Sequence, residues 1–399
     1  MNFHRSFYVL LFTVVTLLNA NVAQADAVLD WNEIGLAAVA SSRPPDGARA
    51  LSMMHVAMFD AVNAIEQKYR PYAYPAKGAK DTSSDAAAIA AAHAVLSKLF
   101  PDQAQTFDSA YTASLAKLPE SSAKAAGIAL GREVGSQCLA MRTNDGAGGA
   151  SIYKQKITPG VYTLTALALS SEFGKVKPWF MSEPTQFRPG PPPALTSAVW
   201  SHDLEEIRAL GGRNSATRTP EQTAVARFWV VTGPASWNPV VRSLAKSQNL
   251  SLIENARLFA MVNMAATDAF VAVFDAKYAY EFWRPVTAIR YEADPGWLPL
   301  VDTPMHPEYP CAHCISSAAV GAVLQSQFGK QAIPTVTMTS PTAPGVTRSW
   351  TRIDDYVQEV SNARVWGGIH YRNSTQVGAQ MGKAIGELAV TRFMTPLDQ

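Results

Sequence analysis

The stretch from residue 306 to 324, HPEYPCAHCISSAAVGAVL, decides how the rest of the chain is read. The Tyr309-Pro310 step does not belong inside a helix, because proline has no amide N–H and pushes the residue before it toward extended backbone. The small, apolar run from Ile315 to Leu324 does fit a helix. A helix is therefore expected to begin at Cys311-Ala312-His313, with His313 in its first turn. The backbone N–H groups there would be unpaired at the positive end of the helix dipole, which is an anion site before any side chain is counted.

Two flanking stretches add charge to that site. Upstream, DAKYAYEFWRPVTAIR places Lys277 and Arg284 in what reads as one unbroken helix ended by Pro285. At 3.6 residues per turn, their spacing brings both cations to one face. Downstream, ARVWGGIHYRNST separates Arg364 from His370 by the pair Gly367-Gly368. On a continuous helix these two side chains would point apart, whereas a double glycine breaks the helix and lets them converge. Lys277, Arg284, Arg364, His313, His370 and a helix N-terminus together describe a socket for a highly charged tetrahedral oxyanion, with arginine acting through its planar fork and lysine as a point charge.

The three blocks stand in the order Lys-x6-Arg-Pro, Pro-x-x-His, Arg-x5-His. In this they resemble the vanadium-dependent haloperoxidases and the related type-2 phosphatidic acid phosphatases, whose full pattern is Lys-x6-Arg-Pro, Pro-Ser-Gly-His and Ser-Arg-x5-His-x3-Asp. Lys277, Arg284 and Pro285 match the first block, Pro310 and His313 the second, Arg364 and His370 the third. Four positions depart from the pattern: Cys311 for serine, Ala312 for glycine, Ala363 for serine and Ser374 for aspartate. The wording FWRP and HPEYP is closer to the haloperoxidase branch.

The resemblance implies an all-α fold of two packed helical bundles of the vanadium chloroperoxidase type, joined by a Pro-rich crossover. It implies vanadate as cofactor, held by His370 as the metal ligand and by Lys277, Arg284, Cys311, Ala312 and Arg364, with His313 and His370 as catalytic residues. The substrates would be hydrogen peroxide, a halide and an organic acceptor. His306 and Trp283 are the candidate halide-site residues. His306 stands where the resembling bromoperoxidases carry histidine and the chloroperoxidases an aromatic, which favours bromide or iodide over chloride. In the phosphatase alternative the same socket holds phosphate, His370 is the nucleophile and His313 protonates the leaving alcohol. Ser374 in place of aspartate would raise the basicity of His370 less than a carboxylate does, weakening a nucleophile more than a ligand.

Two alternatives come from other classes. Cys311-Ala312-His313-Cys314 at a helix start has the local chemistry of a thiol oxidoreductase, and the two cysteines could equally form a disulfide. A thioredoxin-like fold needs βαβ units, of which this chain gives almost no sign. The remaining alternative is a non-catalytic anion-binding protein.

From the beginning of the chain, Met1 to Ala25 reads as a secretory signal, with Arg5, an apolar run from Phe7 to Leu18 and the cleavage site Ala23-Gln24-Ala25. A secreted or periplasmic product cut near Ala25 is expected. No later stretch reads as a membrane span, since Leu252 to Phe274 is interrupted by Glu254, Arg257, Asn263 and Asp268. Thirty-four basic against 32 acidic residues leave a net charge of +2, so no basic field exists to bind nucleic acid.

Residues 26–147 form the expected first bundle, with Leu51, Met54, Met58, Val62 and Ile65 on one helix face. Residues 148–194 are rich in Gly, Pro, Thr and Ser and form the expected crossover; its aromatic residues Trp179, Phe180 and Phe187 argue that it packs. Residues 195–399 carry the socket, with a hairpin or lid expected over 335–347. His55, Asp60 and His93 lack partners at metal-ligand spacing and are read as structural, and Cys138 as a small core residue.

Overall fold

The computed structural model describes residues 26–164 and 166–397; the expected leader Met1–Ala25 lies outside them. Asp26 caps the first helix, α1 (Ala27–Ala38), by accepting the Val28 and Leu29 amides. Helix α2 (Pro44–Glu66) buries Leu51, Met54, Met58, Val62 and Ile65, the stripe that its periodicity predicts. Ser83 caps α3 (Ser84–Leu99), and α4 (Ala104–Ala116) and α5 (Ser122–Met141) complete a first bundle in which α3 packs between α2 and α5.

The crossover is irregular and packed. Its amides at Trp179, Phe180 and Met181 all donate to the buried Asp268 carboxylate, at 2.7, 2.7 and 3.1 Å. Arg188 grips Asp275 with two nitrogens. Earlier in the crossover, Tyr162 and Gly160 pair with Glu281 and Trp283 through backbone hydrogen bonds of 2.6 and 3.0 Å, fixing the segment between the two upstream cations.

Helix α6 (Ala198–Gly211) leads to α7 (Pro220–Phe228), which opens on the full Thr219–Gln222 capping box. After α8 (Asn238–Ser247) comes the long α9 (Leu252–Tyr280). By length and composition α9 could cross a membrane, contrary to the expectation from its scattered polar residues. In the fold, however, 94% of its most apolar window is buried: the apolar surface packs against α2, and Asn263, Asp268 and Lys277 bond to other parts of the protein.

Lys277 and Arg284 are not on one helix. Glu281 turns left-handed (φ 50°) and closes α9. Arg284 is then held extended before Pro285, which opens α10 (Pro285–Glu292) rather than stopping α9. Beyond it lie α11 (Ala312–Phe328), the antiparallel hairpin β1 (Val336–Ser340) and β2 (Ala343–Trp350), α12 (Ile353–Trp366) and α13 (Arg372–Arg392). Helix α11 packs on α9, α12 and most closely on α13. Buried residues of α2, α3, α9, α11 and α13 form one continuous core, so the packing runs across both bundles.

Two glycines make the site end of this bundle possible. Gly368 has φ +79°, and a Cβ there would lie 2.3 Å from the Gly211 carbonyl oxygen. A Cβ on Gly382 of α13 would lie 2.0 Å from the Ile315 carbonyl of α11. Any side chain at either position forces the backbones apart.

Candidate functional site

Lys277 reaches from the last turn of α9 into the interior and donates to the Pro307 and Glu308 carbonyls at 2.8 and 2.7 Å. It is fully buried, and burial together with Arg284 holds its ammonium well below the ordinary range. Arg284, at the start of α10, ties four things together. Its Nε donates to the His306 carbonyl at 2.9 Å and its Nη1 to the Ile369 carbonyl at 2.8 Å. The same Nη1 lies 3.3 Å from His370 Nε2, and Nη2 lies 3.0 Å from His306 Nδ1. Arg364, in the last turn of α12, donates to the Trp229 carbonyl and leaves its buried Nε without a partner. Burial lowers Arg284 to about 10, and burial with Arg284 lowers Arg364 to about 9. Most of their donors go to neutral carbonyls, so the three positive charges are poorly compensated where they converge.

The double glycine does what the sequence suggests. Gly367 caps α12, and the turn folds back so that the Ile369 and His370 amides both donate to the Arg364 carbonyl, at 3.2 and 3.3 Å. His370 is thereby set beside Arg284 with 1% of its surface exposed.

Its orienting partner was not foreseen. His370 Nδ1 donates to Glu308 Oε1 at 2.8 Å, and the Tyr371 amide donates to the same oxygen at 3.0 Å. With its proton on Nδ1, the ring presents the Nε2 lone pair toward Arg284. Contrary to the expectation from Ser374, His370 is not left with only a neutral hydroxyl, because a carboxylate arrives from another part of the chain. Ser374 is buried beside Glu308 and pulls its carboxyl down slightly. Burial pushes the Glu308 carboxyl up to about 7 against the pull of Lys277 and Arg284. Burial, followed by Arg284, holds the His370 ring well below its ordinary value and hence neutral.

The helix start at α11 differs in one respect from expectation. Cys311 is the N-cap, but its amide donates to the Ser374 carbonyl at 3.2 Å and is not open to an anion. The first-turn amides of Ala312 and His313 remain at the helix end with no preceding helical carbonyl to receive them. Cys311 and Cys314 are joined in a disulfide, so the site holds no thiolate. The free cysteine among the described residues, Cys138, is buried and its thiol is pushed up to about 12. No βαβ unit exists among the described residues to support a thiol oxidoreductase. His313 bonds to the Val231 backbone, and burial, then Arg364, keeps it neutral. Its buried Nε2 has no protein partner.

His306 joins the socket: it lies against Arg284 and packs edge-on to Phe274 at 5.3 Å. Trp283 does not face the cations. It stacks on Trp200 at 5.7 Å and tilts against Tyr291 at 5.9 Å, within an aromatic cluster behind His370 that includes Tyr371. Elsewhere His55 bonds to Asn32, Asp60 accepts the amides of Tyr72, Ala73 and Tyr74, and His93 pairs with Asp108. Among the described residues no three His, Cys, Asp or Glu side chains are grouped to hold a metal ion.

Residues 257–399, which include Lys277, Arg284, His306, Glu308, His313, Arg364 and His370, match the family model described as the VCPO second helical-bundle domain. The vanadium chloroperoxidase of Curvularia inaequalis is 30% identical over 194 residues, covering 39% of this chain and 32% of that protein's length. The match to this relative thus spans about a third of it. Among solved structures, a bacterial vanadium-dependent iodoperoxidase superposes with a TM-score of 0.81 at 23% identity, over 93% of this chain and 96% of that one. A bacterial vanadium-dependent chloroperoxidase in its holo form superposes with a TM-score of 0.70 at 16% identity, over 87% and 91% of the two chains. At these identities the structural likeness establishes the fold.

Proposed function

We propose that this chain, whose residues 257–399 match the family model described as the VCPO second helical-bundle domain, is a vanadate-dependent haloperoxidase that oxidises bromide or iodide, rather than chloride, with hydrogen peroxide. The observation that carries the proposal is the neutral His370 ring: its Nδ1 is fixed by Glu308, and its Nε2 is offered among three poorly compensated cations. The fit to an oxyanion is supported by the buried atoms left without protein partners, Arg364 Nε as a donor and His313 Nε2 as a proton-exchanging nitrogen. Bound vanadate would supply a Lewis acid that makes peroxide electrophilic toward halide, with no redox change of the metal.

The chain's own residues do the rest. His370 Nε2 would be the ligand that holds the metal. Lys277, Arg284 and Arg364, with the Ala312 and His313 amides, neutralise oxyanion charge, and the disulfide at Cys311 fixes the turn that presents those amides. His313, held neutral, can take a proton from incoming peroxide and return it to the leaving oxygen. His306 touches the same guanidinium that faces His370, which supports it as the residue that meets a halide; Trp283, packed on Trp200 and Tyr291, has no such contact to support the same role. The fold likeness to an iodoperoxidase supports the heavier halides.

The Glu308–His370 pair also suits the phosphatase alternative, because a carboxylate partner strengthens imidazole as a nucleophile. The two chemistries separate when protein stripped of anions is assayed with orthovanadate, hydrogen peroxide and bromide or iodide, and separately with an aryl phosphate. Halide oxidation that requires vanadate, is competed by phosphate and vanishes in His370→Ala is expected. Aryl phosphate turnover by stripped protein, without halide oxidation at any vanadate level, would replace haloperoxidase by phosphatase. Export completes the proposal: cleavage after Ala25 leaves Asp26, the N-cap of α1, as the first residue. Sequencing of exported protein should begin at Asp26, and an intact Met1 on cytosolic protein would refute it.

A further inference from the structure

A cavity of about 530 Å³ is lined by five segments of the chain. Leu36 of α1, Val39, Pro44 of α2, Pro234 and Pro341 of the β1–β2 turn give it apolar walls. Its volume is that of a small-ligand site. None of the socket residues lines it.

Arg242 of α8 supplies its charge. One guanidinium nitrogen donates to Asn32 Oδ1 at 2.7 Å. Asn32 Nδ2 in turn lies 2.8 Å from both His55 Nε2 and Asn238 Oδ1, and Asn238 pairs with Asn263. Asn32, His55, Asn238 and Asn263 are completely buried, so the guanidinium is anchored on a rigid and neutral network. Among the described residues Arg242 makes no ion pair. Glu33, which also lines the cavity, raises its pKa only through space, and from an exposed rim position where solvent screens it. The other arginine there, Arg43, is already paired with Asp46 and Glu172. An anchored guanidinium without an ion-paired carboxylate, in the lining of a largely apolar cavity, has the composition of a carboxylate receptor.

We propose that this cavity binds a small organic carboxylate with an apolar body, its carboxylate on Arg242 and its body against Leu36, Val39, Pro44, Pro234 and Pro341. The site stands independently of the socket's chemistry, and its position has a consequence for the socket. The wall containing Thr232 and Pro234 continues into Trp229 and Val231, whose backbones hold Arg364 and His313. A bound carboxylate therefore braces the loop that positions two socket residues.

The test is calorimetric titration of the full chain, its socket saturated with orthovanadate, using benzoate, benzamide and inorganic phosphate as probes. Benzoate should bind saturably, and benzamide and phosphate should not compete with it. Arg242→Gln, which keeps a donor for Asn32, should weaken benzoate by about tenfold to a hundredfold, the worth of a charge-assisted hydrogen bond. Ala37→Trp, which adds a bulky ring to the lining of the cavity and leaves Arg242 in place, should also weaken benzoate and covers the case in which the first variant is unstable. Absence of saturable benzoate binding, equal binding of benzamide, or unchanged benzoate affinity in a folded variant would overturn the proposal.

Discussion

Glu308 gives His370 both its orientation and a negative partner, through a bond of 2.8 Å in a site where neither residue is more than 1% exposed. Replacing it with glutamine keeps an oxygen for Nδ1–H and for the Tyr371 amide while removing the charge. Partners of this kind affect metal affinity by about tenfold to a hundredfold. Orthovanadate should therefore bind Glu308→Gln weaker by that factor, in calorimetry on protein with an unchanged melting temperature. Ser374→Ala, which removes a group facing Glu308 and not the imidazole, should stay within a few-fold of the parent; the reverse order would return the orienting role to Ser374. The contrast also marks what the sequence could reveal at this scale. Lys277, Arg284, Arg364, His313 and His370 were legible because each sits at a fixed distance from a proline, a glycine pair or a helix start. Glu308 was not, because the bond joins residues 62 apart, and the local spacing pointed instead to position 374. The only available hint was a glutamate inside HPEYP, flanked by prolines that forbid an ordinary helix.

The contact between α11 and α13 sets where the anion-facing helix start lies, and it depends on absent side chains. Gly382 sits against the Ile315 backbone, and an added methyl would meet its carbonyl oxygen at 2.0 Å. Because that neighbour is backbone, the clash is relieved only by separating the helices, at a typical cost of about 1–3 kcal/mol for overpacking. Gly382→Ala should lose about that much in chemical denaturation and should also weaken orthovanadate binding, since the displaced helix carries Ala312 and His313. Gly190, with nothing within 4 Å of its would-be Cβ, is the control, and its alanine variant should stay within about 0.5 kcal/mol. Equal stabilities for the two variants would contradict the close packing. Helix identities were readable from periodicity and caps, as in α2 and the Thr219–Gln222 box, whereas breaks made by non-glycine residues were not. Nothing in AYEFWRP announces that Glu281 turns left-handed. The crossover strand holding residues 281–283 by backbone bonds makes that turn worthwhile, and it comes from more than a hundred residues earlier.

At the scale of the molecule, the two bundles are joined by a buried polar seam as well as by α9. Asn32 of α1, His55 of α2, Asn238 of α8 and Asn263 of α9 bond to one another with no exposed surface. From the sequence these residues read only as isolated polar positions, because periodicity shows which face is buried but not which distant polar groups meet there. His55 accepts from Asn32 only while its Nε2 is unprotonated, and burial, with a smaller push from Arg242, lowers it to about 3 from an ordinary 6.5. The unfolded chain therefore binds a proton that the folded chain refuses between these two values. Stability from this group is complete above 6.5 and is lost as the pH falls toward 3, with a slope of at most about 1.4 kcal/mol per pH unit. His55→Gln should keep the hydrogen bond from Asn32 through its amide oxygen, lose some packing against Phe259, and lose the titration. Unfolding free energies from denaturant titrations of both proteins, at neutral pH and at about pH 4.5, give the difference directly. The parent should lose about 1–3 kcal/mol more than the variant over that interval, the linkage for one displaced histidine. The histidines of the socket titrate in both proteins and cancel in the comparison. Parallel pH profiles for parent and variant would mean that His55 is protonated within the fold, and that the seam between the bundles is open to water.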